Sequence, residues 1–230
     1  MTKYKGIIFD FNGTLYWDSA LHKQAWREYS KILRGEMFTD EEMVKHMFGR
    51  TNEEIIRYAI KKQPSAEMVK KIGDEKEELY RQMSLKNKEN LHLAKGAVEF
   101  LDFLKKNDIP RTIATMSDKN NVDFYFETFN LSKWFDIENV VYADGIVPSK
   151  PAPDIYQIAA NNLKLKPQDC IVIEDALSGI ESAKAAGIGK IIAICSEESP
   201  ELYKDIPCVT GIINNFDELD RSLFEIKCAR

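Results

Sequence analysis

The chain has 230 residues, and against a typical domain length of about 150 that points to one large domain or a core carrying an insertion. Its make-up, 44% hydrophobic, 10% aromatic and 30% charged, excludes collagen-like, disulfide-scaffold and disordered chains. A formal charge of −5, from 37 acidic and 32 basic residues, supplies no basic field, so neither nucleic acid nor a membrane is expected as a partner.

From the N-terminus, residues 6–9 form an apolar run of strand length, followed directly by Asp10 and Asn12-Gly13-Thr14. Early acids at Asp10, Asp18 and Glu28 leave no room for a signal peptide, and no run of 18 apolar residues occurs, so a cytoplasmic location is expected. Residues 17–88 then lack any strand-like run and show repeated helix starts. A helix is expected from Asp18-Ser19, with His22 and Trp26 one turn apart on it. Thr39-Asp-Glu-Glu42 and Thr51-Asn-Glu-Glu54 both fit the capping box, in which a hydroxyl and a carboxylate satisfy orphan N–H groups reciprocally. Arg50 precedes the second box as a candidate substrate-facing cation. Farther on, Met68, Ile72, Leu79, Tyr80 and Met83 define an apolar stripe with Lys76 lying on it. A lysine there either snorkels to water or points at an anion.

Beyond residue 88 the pattern changes to alternating strands and helices. Strand-length apolar runs at 113–114, 140–142, 170–173 and 190–194 are separated by enough chain for crossover helices. Ala97, Phe100, Leu101 and Leu104 keep the spacing of a one-sided helix, and 176–186 is Ala-rich and stopped by Gly187. The fold class is therefore α/β, a doubly wound parallel sheet of Rossmann-like type made of 1–16 and 89–230, with an inserted all-helical domain over 17–88. The tail over 216–224 either packs on the core or pairs subunits, and a monomer or weak homodimer is expected. Four cysteines, Cys170, Cys195, Cys208 and Cys228, show no metal-binding spacing and read as reduced, buried thiols.

In an open parallel sheet, ligands bind beyond the carboxyl ends of strands. Asp10, Thr115 and Glu174-Asp175 all follow strands, while Lys150 sits in Ser149-Lys-Pro-Ala-Pro153, whose prolines fix the backbone around it. Three carboxylates at one edge repel unless a cation is present. An all-oxygen set of this kind suits Mg²⁺, which takes one or two carboxylates together with substrate phosphate.

These motifs resemble the haloacid dehalogenase superfamily. The segments Leu-His-Lys-Gln-Ala-Trp26, Gly-Arg-Thr-Asn-Glu-Glu54, Ser-Lys-Pro-Ala-Pro-Asp-Ile-Tyr156 and Ile-Glu-Asp-Ala-Leu-Ser-Gly-Ile180 are similar to its β-phosphoglucomutase-like branch, which carries a helical cap. The resemblance implies Asp10 as a nucleophile that becomes an aspartyl-phosphate, and a Mg²⁺ site made by Asp10, the main-chain carbonyl of Asn12 and Asp175, with Glu174 acting through water. It further implies Thr115 and Lys150 as holders of the transferring phosphoryl group, with Ser117 as a substrate contact. His22, Trp26, Arg50 and Lys76 become substrate-facing residues of a cap expected to close over the site. The implied activity is Mg²⁺-dependent hydrolysis of small phosphorylated metabolites, sugar phosphates first, with a β-phosphoglucomutase-type isomerase and a catalytically weak phosphometabolite-binding protein as alternatives.

Asn12 departs from that pattern, because the family has a second Asp there that protonates the leaving oxygen. An amide cannot, and general acid–base catalysis is worth about 10²–10⁴-fold. Three readings follow: a natural slow enzyme or binding protein, an introduced block that traps ligand, or deamidation at Asn12-Gly13. Asn52 stands where the mutase branch would place a phosphate-binding arginine, which counts against the isomerase.

Overall fold

A computed structural model describes residues 3–47, 50–196 and 199–225. Its contacts divide the chain into an α/β unit, Met1–Trp17 with His92–Arg230, and a helical unit, Asp18–Leu91.

In chain order the elements are β1 (Gly6–Phe9), α1 (Ser19–Arg34), α2 (Asp40–His46), α3 (Asn52–Ile60), α4 (Ala66–Lys86), α5 (Ala97–Lys106) and β2 (Arg111–Ile113). After them come α6 (Lys119–Phe129), α7 (Asp154–Asn162), β3 (Cys170–Glu174), α8 (Leu177–Ala185), β4 (Lys190–Ile194), α9 (Glu201–Lys204) and β5 (Val209–Ile213). The five strands form one parallel sheet in the order β2-β1-β3-β4-β5.

Helices cover both faces, which is why β1 and β3 read as unbroken apolar runs. Ile8, Cys170, Val172, Ile191 and Ala193 pack with Tyr156 and Ala159 of α7 and Ile180 and Ala183 of α8. Phe9 faces the other way, with ring centroids 6.3 Å from Phe100 of α5 and 6.0 Å from Phe216. The 216–224 tail thus lies on the core: Phe224 is buried, its ring 6.1 Å from Phe100, and it bridges to Tyr4.

Two strand expectations need correction. Residues 140–142 form no strand; Val141 makes a single bridge to Ala114, because a 3₁₀ turn over Ile137–Asn139 delivers the chain only at that point. Sequence reading also passes over β5, an edge strand whose Thr210 and Gly211 break its apolar run and whose register shifts between Ile191 and Ile192.

In the helical unit both capping boxes form, on Thr39 with Glu42 and on Thr51 with Glu54. Glu42 also takes a two-pronged bond from Arg34, at 2.6 and 2.7 Å, and one from the Tyr58 hydroxyl at 2.7 Å, so a single carboxylate ties α1, α2 and α3. Those contacts hold its carboxyl well below the usual range, the Arg34 bond most of all. Trp26, Tyr29, Phe38, Met43, Ile55, Ile56 and Ile72 form the apolar core beneath. Among the described residues no helix is long and apolar enough to cross a membrane.

Candidate active site

Register builds the site. β1 pairs Phe9 with Ile113 on one side and Ile173 on the other, so one step further Asp10, Ala114 and Glu174 stand level at the carboxyl edge. The Asp10 N–H extends the ladder to the Ile173 carbonyl at 3.1 Å. β1 and β3 also flank the point where strand order reverses, the place at which open parallel sheets bind ligands.

Carboxylate oxygens of Asp10, Glu174 and Asp175 lie within 4.8 Å of one another. Lys150 reaches in from its proline-bound loop, and its Nζ donates to Asp10 Oδ1 and to Glu174 Oε1, each at 2.6 Å, and to the Ala114 carbonyl at 3.3 Å. Burial works against the ammonium, but the two carboxylates outweigh it and hold the lysine well above its ordinary pKa. Asp175 is pushed up by burial, then by Glu174 and Asp10.

Three acids against one ammonium leave negative charge in excess, which a hard divalent cation with oxygen ligands would offset. The backbone is shaped to keep those acids in place. A Cβ on Gly13, whose φ is +79°, would sit 2.1 Å from Asp175 Oδ2, and one on Gly179 would sit 1.6 Å from Glu174 Oε1. Only glycine leaves space for the carboxylates there. The donor set and its cradle therefore suit Mg²⁺.

Sequence reading gives several partners of the cluster no role of their own. Tyr156 on α7 donates to Glu174 Oε1 at 2.9 Å and lies under the Lys150 ammonium, 5.1 Å from it. The Ala176 N–H donates to Glu174 Oε2 at 2.8 Å, Thr14 Oγ1 to Asp175 Oδ1 at 3.0 Å, and the Tyr203 hydroxyl to the Asp175 carbonyl at 2.6 Å. A helical pattern with a tyrosine on its inner face signals packing, and the pairing appears only when α7 is laid on the sheet.

Asn12, Thr115 and Ser117 are brought together on the other side of Asp10's loop. The Asn12 amide Nδ2 donates to the Tyr125 hydroxyl at 2.8 Å, and its Oδ1 accepts from Ser117 Oγ at 2.7 Å and Thr115 Oγ1 at 3.4 Å. Ser117 Oγ and the Tyr125 hydroxyl are 3.3 Å apart, closing a ring, and Tyr125 stacks on Phe11 at 4.2 Å. This arrangement opposes the deamidation reading. Ring closure to a succinimide needs the Gly13 nitrogen at the Asn12 side chain, yet that N–H donates to the Tyr16 carbonyl at 2.7 Å while both ends of the amide are held.

The remaining candidates lie in the helical unit. Lys76 does not snorkel: its side chain is 3% exposed, and Nζ is 2.5 Å from Glu77 Oε1 and 3.2 Å from His22 Nδ1. The other ring nitrogen, His22 Nε2, faces Asp18 Oδ2 at 3.4 Å. Asp18 caps no N–H of α1 and is instead bonded by the Tyr80 hydroxyl. Trp26 belongs to the apolar core, 5.5 Å beneath the Lys76 ammonium. Arg50 is half exposed, 3.7 Å from Glu54, beside a cavity of about 250 Å³ shared with His46, Arg57 and Tyr58. Gly49, its neighbour in the quoted motif, lies outside the described residues. Of the cysteines, Cys170 is buried, with its thiol pushed up to about 12 by burial, while Cys195 and Cys208 are half-buried; all three are free, and Cys228 lies outside the described residues.

Residues 7–193 match the family described as haloacid dehalogenase-like hydrolase. Over 194 residues the chain is 28% identical to a phosphorylated carbohydrates phosphatase of Thermotoga maritima, covering 83% of this chain and 85% of that one. It is 29% identical over 191 residues to the fructose-1-phosphate phosphatase YqaB of Escherichia coli, covering 82% and 96%. Among solved structures, a HAD hydrolase of family IA, variant 3, from Entamoeba histolytica superposes with a TM-score of 0.90 at 39% identity, covering 95% of this chain and 96% of that one.

Proposed function

This chain belongs to the haloacid dehalogenase-like hydrolases, and from that premise we propose that it is a Mg²⁺-dependent phosphohydrolase of small phosphorylated carbohydrates. The observation that carries the reading is the clamp in which Lys150 bridges Asp10 and Glu174 beside a third carboxylate at the sheet's switch point. Relatives bearing sugar-phosphatase names support the substrate class.

In this proposal Asp10 is the nucleophile. Its carboxylate attacks phosphorus, forms an aspartyl-phosphate and is regenerated by water, which splits one hard displacement into two easier ones. Lys150, Thr115 and Ser117 orient the phosphoryl oxygens and meet the charge that builds on them. Asp10, Asp175 and the Asn12 carbonyl would hold Mg²⁺, with Glu174 acting through water. When bound, the cation supplies charge neutralisation for the phosphate and for Asp10. Tyr156 and the Ala176 N–H keep Glu174 in place. His22, Arg50 and Lys76 are assigned to recognition of the rest of the substrate, and Trp26 to packing beneath Lys76.

A phosphate-release screen on sugar phosphates, run on this chain and on Asn12→Asp with and without Mg²⁺, tests the reading. Release should depend on Mg²⁺ and rise in the variant by on the order of 10²–10⁴-fold. No release from either protein with Mg²⁺ would overturn it. The ring around Asn12 favours one second reading, a binding protein of low turnover, which gains if sugar phosphates stabilise both proteins without being cleaved.

A further inference from the structure

The side chains around Asp10 in the α/β unit sort by what they can do with a proton. Glu174 and Asp175 belong to the oxygen cluster, where the proposed cation would keep them as carboxylates, and the Lys150 ammonium is gripped by two carboxylates. Thr14, Thr115 and Ser117 are hydroxyls and Asn12 is an amide, neither of which ionises near neutral pH. Tyr125 carries an acidic hydrogen, but that hydrogen is committed. Ser117 Oγ gives its own hydrogen to Asn12 Oδ1, so in the 3.3 Å contact between the two hydroxyls the phenol is the donor, while it accepts from Asn12 Nδ2. The closed ring, stacked on Phe11, fixes the amide at position 12.

Given the phosphohydrolase reading on which this rests, we infer that the site is built for phosphoryl donors whose leaving oxygen departs as a stable anion, namely acyl phosphates and carbohydrates phosphorylated on the anomeric oxygen, rather than phosphates of primary alcohols. An Asp10 oxygen bonds to phosphorus as the bond from phosphorus to the leaving oxygen breaks. The electron pair of that bond leaves with the oxygen, which takes a proton only later, from solvent. Water then bonds to phosphorus, the pair of the Asp10 oxygen–phosphorus bond returns to the carboxylate, and the surplus proton passes to the released phosphate or to solvent. A carboxylate leaves without help and an anomeric oxyanion is less basic than a primary alkoxide, which most needs a proton that no described side chain of this unit is placed to give.

Single-turnover release of the leaving group, with Mg²⁺ present, from a series of substituted phenyl phosphates, acetyl phosphate, a hexose 1-phosphate and a hexose 6-phosphate provides the test. For this chain the rate should fall steeply as the leaving oxygen becomes more basic. Asn12→Asp should flatten that dependence, gaining about 10²–10⁴-fold on the hexose 6-phosphate and less than about tenfold on acetyl phosphate. A shallow dependence already in this chain, meaning that a proton donor reaches the site from elsewhere, would overturn the inference, as would an equal gain on all donors. Either result leaves the phosphohydrolase reading standing. Absence of release from every donor by both proteins would remove that reading and the inference with it.

Discussion

The α/β unit and the helical unit each withdraw a lysine from water, Lys150 with 7% of its side chain exposed and Lys76 with 3%. Lys76 is answered locally: its sequence neighbour Glu77 pairs with it, and His22 Nδ1 lies 3.2 Å from its ammonium. Lys150 is met by acids from two strand ends with a third beside them, more negative charge than one ammonium offsets. A lysine paired with its neighbour is a buried charge already largely offset, with only a modest pull left for a ligand. A lysine outnumbered by carboxylates is the setting in which the proposed Mg²⁺ would have charge to offset.

That contrast can be broken most sharply at Lys150. Lys150→Met should lower phosphate release on the order of 10²–10³-fold, as loss of a preorganised donor to a developing oxyanion does, and a loss under tenfold would deny Lys150 its role. Gly179→Ala comes next. Its Cβ would press into Glu174, so stability should fall by about 1–3 kcal/mol in denaturant titration, together with weaker Mg²⁺ binding by calorimetry. Unchanged Mg²⁺ affinity would place Glu174 outside the cation's environment. Lys76→Met should act more mildly, raising the KM for a sugar phosphate roughly tenfold, the worth of one charge-assisted hydrogen bond. An effect on kcat alone would reverse its assignment to recognition.

The smallest effect concerns pH and sets one unit against the other. Glu42 is held below its ordinary range, so it contributes stability above that range, and the contribution is lost as pH falls through it toward the depressed folded value. Acidification below about pH 4.3, an ordinary Glu value, should therefore loosen α1, α2 and α3 before β1 and β3. Hydrogen-exchange protection, corrected for intrinsic rates, would read this. Glu42→Gln should abolish the difference in pH dependence.

Much of the α/β unit was legible because strands buried on both faces must be apolar throughout, and Asp10 and Glu174 interrupt such runs where they meet the sheet's edge. Helix starts at Thr39 and Thr51 were legible because a capping box is local chemistry. What escaped was non-local or weakly apolar. Tyr125 stands 113 residues from Asn12 and Tyr156 18 from Glu174, and on their helices they resemble any packed aromatic. β5 escaped because an edge strand tolerates Thr210 and Gly211. Lys76 was placed correctly on the apolar stripe, but its periodicity said nothing of Glu77 folding back onto it.

Mass spectrometry of the chain, acid-quenched within a single turnover with Mg²⁺ and acetyl phosphate, tests the central claim that the carboxylate cluster transfers phosphoryl groups through Asp10. The account predicts a phosphoryl adduct on the peptide carrying residues 6–22, located at Asp10 and absent from Asp10→Asn. Leaving-group release without an adduct on that peptide, or with the adduct on another residue, would contradict it.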